Sequence, residues 1–215
     1  WIALMGVALV FSMSRMGIAA MFCSVSAMAI LAKTAQSRMR AAVIVLILVF
    51  AILGLAVYVG VDEVLVRFED LSEERESDLM RIGLWRDALK MIQSQSWFGT
   101  GLGTFQWTYP AYESIEPDRP ARYAHNDYLQ VLAETGIAGL GLMLWFFAAL
   151  WRTALKNLRN DRDPLVRGVG LGTLGMLTAI ALQEITDFGL YIPGVAVTAA
   201  LLAGVNLRMK ALARE

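Results

Sequence analysis

Cysteine occurs once in the 215 residues, at Cys23, and histidine once, at His125. A lone cysteine inside an apolar run cannot pair within the chain, so no disulfide framework holds any exported loop. With neither a second histidine nor a cysteine beside it, His125 supports neither a zinc site nor a Cys/His nucleophile pair. Net charge is absent as well. Nineteen Lys and Arg balance 19 Asp and Glu, so no basic field draws the chain to nucleic acid, and no nucleic-acid partner is expected. The five prolines make no linker, and there is no internal repeat or low-complexity tract. Charged residues are scarce, at 18% against 57% hydrophobic, and mean hydropathy is +0.55. Those proportions exclude a soluble globule and a disordered chain, and leave the bilayer as the solvent.

What is present is a series of apolar blocks, at about 1–12, 16–32, 41–60, 127–150, 166–184 and 190–207. At ~1.5 Å per residue most of these can cross a ~30 Å hydrocarbon core; the first is too short and reads as truncated. Residues 1–32 as one helix would bury Arg15 near its centre, so a break at Ser12-Met13-Ser14-Arg15 is the cheaper arrangement. The chain starts at Trp1 without a basic leader or a small-residue cleavage site. It is expected to be the C-terminal piece of a longer membrane protein rather than to open on a signal peptide.

Basic residues divide unevenly. Lys33, Arg38 and Arg40, then Arg152, Lys156, Arg159, Arg162 and Arg167, then Arg208, Lys210 and Arg214 fall on connections that share one side, which is therefore cytoplasmic. The opposite side receives the 12–15 turn, the 61–125 loop and the 185–190 turn, and carries the acids, Asp62, Glu63, Glu69, Asp70, Glu73, Glu74, Glu76, Asp78 and Asp87 among them. None of these acids shows the spacing of a calcium loop. A connection as long as 61–125 is expected to be folded and functional.

Within it, residues 77–92 read as an amphipathic helix with Ser77 as N-cap. Successive steps of 100° put Ile82, Leu84, Trp85, Ala88, Leu89 and Ile92 on one broad face and Arg86, Asp87, Lys90 and Gln93 on the other. Arg81 falls in the middle of the apolar face. A guanidinium there needs a partner: a structural carboxylate, the membrane surface past which it snorkels, or an anionic ligand. The following Gly99-Thr100-Gly101-Leu102-Gly103 lacks the strand and spacing of a dinucleotide loop, and reads as a tight turn between aromatic anchors Trp97, Phe98 and Phe105.

His125 stands at the N-terminal end of a span, where free amides and the helix dipole favour anions, a suitable place for a group that meets a phosphate. On that helix Asn126, Asp127, Gln130 and Glu134 lie within about 100° of arc, a polar stripe that should face a protein interior or a wet cavity. Gly136 and Gly139 lie on the other side and would admit a close neighbouring helix. As a boundary residue His125 could equally make ordinary hydrogen bonds.

The string His125-Asn126, nine residues, Gly136, two residues, Gly139 resembles the signature of the bacterial O-antigen ligase and O-antigen polymerase family, with Leu140 where ligases often have Thr. Two further segments are similar to parts of that family: Ser14-Arg15 followed by Gly17, and Arg81-Ile82-Gly83-Leu84-Trp85 leading to Gly99 through Phe105. The resemblance implies an all-α polytopic transmembrane helical bundle with a long, partly helical periplasmic loop. Residues 1–60 would be transmembrane helices, 61–125 the periplasmic loop with its amphipathic helix, and 126–215 three transmembrane helices and a short cytoplasmic tail. The implied activity is a metal-independent glycosyltransferase of the bacterial inner membrane with its active site on the periplasmic side and no cofactor. Its donor would be an undecaprenyl-diphosphate-linked glycan, its acceptor a glycan, a lipid A core sugar or a protein, its other partners the membrane lipids.

The candidate catalytic residues under that resemblance are His125, Arg81 and Arg15. Both arginines would neutralise the leaving diphosphate, and His125 would take the proton of the acceptor hydroxyl or bind the diphosphate. Asn126, Asp127, Gln130, Glu134, Gly101 and Gly103 are the candidate substrate-binding residues, with Asp127 or Glu134 as possible orienters of the imidazole. Two other classes fit the same composition: a transporter whose polar stripe lines a solute path, and a non-catalytic assembly partner that associates through the Gly136/Gly139 face.

Overall fold

The computed structural model describes residues 14–32, 71–114, 121–160 and 163–212, with isolated helical positions at 8, 9, 39, 42, 43, 46, 47, 50 and 54. The spans expected at 1–12 and 41–60 lie largely outside the described residues. Among these, all regular structure is helical: α1 (Arg15–Leu31), α2 (Leu71–Ser94), α3 (Phe105–Thr108), α4 (Asp127–Leu158), α5 (Pro164–Gln183) and α6 (Pro193–Leu212), with single 3-10 turns at Tyr109–Ala111 and Gly189–Tyr191. Two helices, α4 and α5, are long and apolar enough to cross a membrane, while α1 and part of α6 are shorter apolar helices. The break before Arg15 is present. Ser14 is the N-cap of α1, its hydroxyl accepting from the Gly17 amide at 3.0 Å, and the helix begins at Arg15.

The chain divides into two compact units. One holds residues 1–70, 150–183 and 199–215. In it α1 and α5 lie side by side because the contact face is built of small groups: Ser24 donates to the Gly175 carbonyl at 2.7 Å, and a Cβ at Gly175 would stand 2.5 Å from the Met28 sulfur. The turn from the end of α4 into α5 is equally tight, since a Cβ at Gly170 would meet the Leu158 amide at 2.5 Å. Asn157 donates to both the carbonyl and the side-chain oxygen of Asn206, at 2.8 and 2.9 Å, so two polar side chains on apolar helices satisfy one another.

The other unit, 71–149 with 184–198, contains the loop and the beginning of α4. Its core joins Ala88, Met91 and Ile92 of α2 to Phe105, Tyr109, Ala124 and Ala133, with the Phe105 and Tyr109 rings stacked at 5.1 Å. The loop helix runs from Leu71 to Ser94, beyond both ends of the expected 77–92, so Ser77 does not cap it. Its buried face is also rotated from the expected one. Gly83, Asp87, Ala88, Met91 and Ile92 point inward, whereas Ile82 and Leu89 are exposed.

Asp87 is the reason for that rotation. It was placed with the solvated residues, yet it is fully buried, accepting from the Ser114 amide at 2.8 Å, the Ser114 hydroxyl at 2.7 Å and Lys90 at 2.7 Å. Burial alone would raise its carboxyl, but the bonds from Lys90 and Ser114 outweigh it and hold the pKa below the ordinary value. A depressed folded-state pKa stabilises the fold above the unfolded value near 3.8 and loses that contribution as pH falls through the folded value. Replacing Asp87 by Ala should lower stability by about 2–4 kcal/mol at neutral pH and weaken the loss of thermal stability on acidification, against less than about 0.5 kcal/mol for Arg86→Ala.

Candidate active site

Helix α4 is broken where the sequence has Gly136, whose φ of 66° and ψ of −168° are those of extended, left-handed backbone that only glycine adopts easily. The break withdraws two amides, of Ile137 and Ala138, and two carbonyls, of Ala133 and Glu134, from the ladder of the helix. All four are satisfied by one segment of the loop. Ile137 donates to the Ser96 carbonyl and Ala138 to that of Trp97, at 2.9 and 3.2 Å, while Thr100 and Gly101 donate to the carbonyls of Ala133 and Glu134, at 3.1 and 2.8 Å. The approach is so close that a Cβ on Gly136 would sit 2.3 Å from the Trp97 carbonyl group, and one on Gly99, also at φ 66°, the same distance from Glu134 backbone. Gly136 therefore admits a loop segment and not the neighbouring helix that its sequence context suggested. A Cβ on Gly139 would meet only Thr135 of its own helix.

One carboxylate completes the joint. Glu134, one per cent exposed, receives the Gly103 amide at 2.8 Å, the Phe105 amide at 3.2 Å, the Gln130 amide group at 2.8 Å and the Tyr191 hydroxyl at 3.0 Å. Four donors on one buried carboxylate satisfy its oxygens and fix the Gly-rich turn above it. Burial, followed by the Glu134 charge, pushes the Tyr191 phenol well above its ordinary range, so it remains a donor. The turn is thus anchored by Glu134 and buried Phe105; Trp97 and Phe98, expected as anchors, are 72% and 80% exposed.

The polar stripe faces protein, and each of its members bonds to it, with Asp127 Oδ1 left buried outside those bonds. Asn126 accepts from the Leu129 amide at 3.0 Å, as a helix cap does, and Gln130 accepts from the Ala124 amide at 2.6 Å while donating to Glu134. Asp127 binds the turn after α5 twice: its amide donates to the Glu184 carbonyl and its carboxylate receives the Leu190 amide, both at 3.0 Å. Glu184, buried in that same turn, accepts from the Gly189 amide at 2.6 Å.

His125 stands at the centre of these contacts. Its φ of 49° is left-handed, unusual for a residue with a side chain, and its flanks are pinned on both sides. Before it, the Ala124 amide is held by Gln130 and the Ala124 carbonyl receives the Trp85 indole at 2.9 Å; after it come the Asn126 cap and the Asp127–Glu184 bond. The imidazole lies edge-on to Phe188 at 4.9 Å, and Phe188 stacks on Tyr123 at 4.6 Å. Trp85 is one helical turn after Arg81 on α2, so its bond to Ala124 brings the Arg81 face alongside. Burial first, then the Arg81 charge, lower the His125 pKa from its ordinary 6.5, and Asp187 partly opposes them.

Arg81 and His125 therefore meet electrostatically within one unit. Arg15, exposed at the first position of α1, belongs to the other. Sequence reasoning missed Glu184, Asp187, Phe188 and Tyr191, and named Trp85 only as part of the apolar face and of the family-like segment. Only Asp187 carried a signal, as an acid in the 185–190 turn already assigned to the side of the loop. Among the described residues no three His, Cys, Asp or Glu side chains gather in a metal-binding arrangement.

Gly136→Ala should lower stability by about 3 kcal/mol or more, from left-handed strain and backbone overlap, and speed chymotrypsin cleavage within 97–107 by freeing its backbone from α4. Gly141→Ala, with open space at its Cβ, should leave the digestion pattern unchanged.

No curated protein matches the chain. The O-antigen ligase family model matches residues 1–146, more than half of the sequence and including Arg15, Arg81 and His125, and the chain belongs to that family of membrane proteins.

Proposed function

We propose that this O-antigen ligase-type glycosyltransferase moves a glycan from an undecaprenyl-diphosphate-linked donor to an acceptor hydroxyl on the periplasmic side of the inner membrane, with His125 as the general base. The observation that carries the reading is an imidazole held by bonds on both flanks in a left-handed turn, with burial and the Arg81 charge both lowering its pKa. A base must be unprotonated before it acts, and the depressed pKa keeps His125 in that form at neutral pH.

The remaining roles follow from charge. As the anomeric carbon–oxygen bond breaks, the leaving diphosphate gathers negative charge, which the Arg81 fork can receive through two parallel N–H donors without a metal. Arg15 is assigned the same role toward the diphosphate, on the resemblance alone. His125 accepts the proton of the acceptor hydroxyl as its oxygen bonds to the anomeric carbon. Gly101 and Gly103 shape the floor on which the donor rests, and Asn126, Asp127, Gln130 and Glu134 act on substrate through the turns they hold, since their side-chain bonds are to protein. That internal use of Gln130 and Glu134 supports transfer over a solute path lined by the stripe.

With purified enzyme and a lipid-diphosphate-linked donor, His125→Ala should reduce transfer by about 10²–10⁴-fold while membrane insertion is kept. In wild type, kcat/KM should rise with pH along a limb below 6.5 and then level off. Arg81→Ala, which removes a depressing charge, should move that limb to higher pH, and Asp187→Asn should move it lower. A limb that stays in place in both variants, or transfer undiminished in His125→Ala, contradicts the assignment. In a deletion strain, long unattached lipid-linked chains mark a ligase, and single repeat units a polymerase.

A further inference from the structure

Trp97 and Phe98 are rigidly held yet almost uncovered, at 72% and 80% exposure, and Leu102 in the same turn is 77% exposed. Large aromatics held in the open by backbone bonds are poorly explained by an aqueous setting. Their depth along α4 is fixed, because Ile137 and Ala138 donate to the Ser96 and Trp97 carbonyls.

That depth coincides with the start of the apolar part of α4. Ile137–Trp151 contains no charged residue, and Ile137, Leu142, Leu144, Trp145 and Phe146 are exposed. A ~30 Å hydrocarbon core takes about 20 helical residues, so a span that starts at Ile137 ends near Lys156, with exposed Arg152 and Lys156 reaching the far boundary. It starts no earlier without taking in the carboxyl groups of Asp127 and Glu134 and their bonded network, and no later without shortening a run already closed by Arg152. The kink at Gly136 therefore marks the surface of the hydrocarbon, and backbone bonds tie the segment bearing the exposed rings of Trp97 and Phe98 to α4 at that level. Tryptophan and other aromatics are favoured at this boundary, where ring faces meet acyl chains and polar edges meet headgroups.

We infer that the turn carrying Trp97 and Phe98 is a membrane-surface anchor, its two rings seated among the lipid headgroups and first acyl carbons of the leaflet at the N-terminal end of α4. Joined to the Gly-rich turn and Glu134, it sets the candidate site at headgroup level, the depth of the diphosphate of a lipid-linked donor. The anchor itself depends only on the family being membrane-bound, and not on His125 acting as a base.

The test is electron paramagnetic resonance on the protein in nanodiscs of phosphatidylethanolamine and phosphatidylglycerol. A nitroxide is placed at Phe98→Cys, and separately at Trp97→Cys, in a Cys23→Ser background, that cysteine being the only native one. Collisions with oxygen should exceed those with a water-soluble nickel chelate, giving a depth just inside the phosphates. A label that meets the chelate more often than oxygen lies in water and overturns the anchor. One that collides with neither is covered by protein, and overturns it as well. Because both positions are read without substrate, failure of the transferase assignment leaves this result intact.

Discussion

A helix interrupted in apolar surroundings exposes amides and carbonyls that those surroundings cannot satisfy, at a cost of several kcal/mol for each group left unbonded. Gly136 creates that situation in α4, and the exchange of four backbone bonds with residues 96–101 resolves it. Everything else in this unit is arranged around the joint. Glu134 lies beside it, with its backbone carbonyl in the exchange and its carboxylate under the Gly-rich turn; Tyr191 reaches the same carboxylate from the turn after α5. The broken helix thereby becomes a hub where three stretches of chain distant in sequence are fixed against one another.

His125 inherits its geometry from this hub. Gln130 links the Glu134 carboxylate to the residue before the imidazole, and Asp127 links the residue after it to the turn bearing Asp187 and Phe188. A left-handed residue costs roughly 1–3 kcal/mol, and here bonds on both flanks offset it. The resulting placement subjects one titratable ring to burial and the Arg81 charge, which lower its pKa, and to the Asp187 charge, which opposes them.

Much of this was legible in the residues, and the parts that were not have identifiable reasons. Long apolar blocks announced α4 and α5, because a bilayer demands length and composition that few other settings do; the break before Arg15 could be read because a guanidinium at the centre of one long apolar helix is costly. The polar stripe at Asn126, Asp127, Gln130 and Glu134 also reads directly, since such groups on an apolar helix have to face inward. Asp87 defeated the pattern. Periodicity sorts residues by type, and a buried carboxylate with three donors looks like a solvated one until its partner Ser114, 27 residues away, is in place. Gly136 was recognised as a point of close approach, but not as a break: one glycine in an apolar run is compatible with both, and what decides is the loop segment that supplies the missing bonds. Trp97 and Phe98 were expected to pin the turn from within because large aromatic side chains are usually well covered, yet both are exposed and the turn is held by Glu134 and Phe105 instead.

The exchange at Gly136 also bears on the order in which the chain can mature. Residues 96–101 are made before the second half of α4, so when the ribosome delivers Gly136 the surface that will take up its stranded amides and carbonyls already exists. Were the two stretches synthesised in the opposite order, the interrupted helix would have to wait in the translocon with its backbone unmet, and an uninterrupted rod through the membrane would be its easiest escape. Vectorial synthesis thus delivers the bonding partners of the discontinuity before the discontinuity itself.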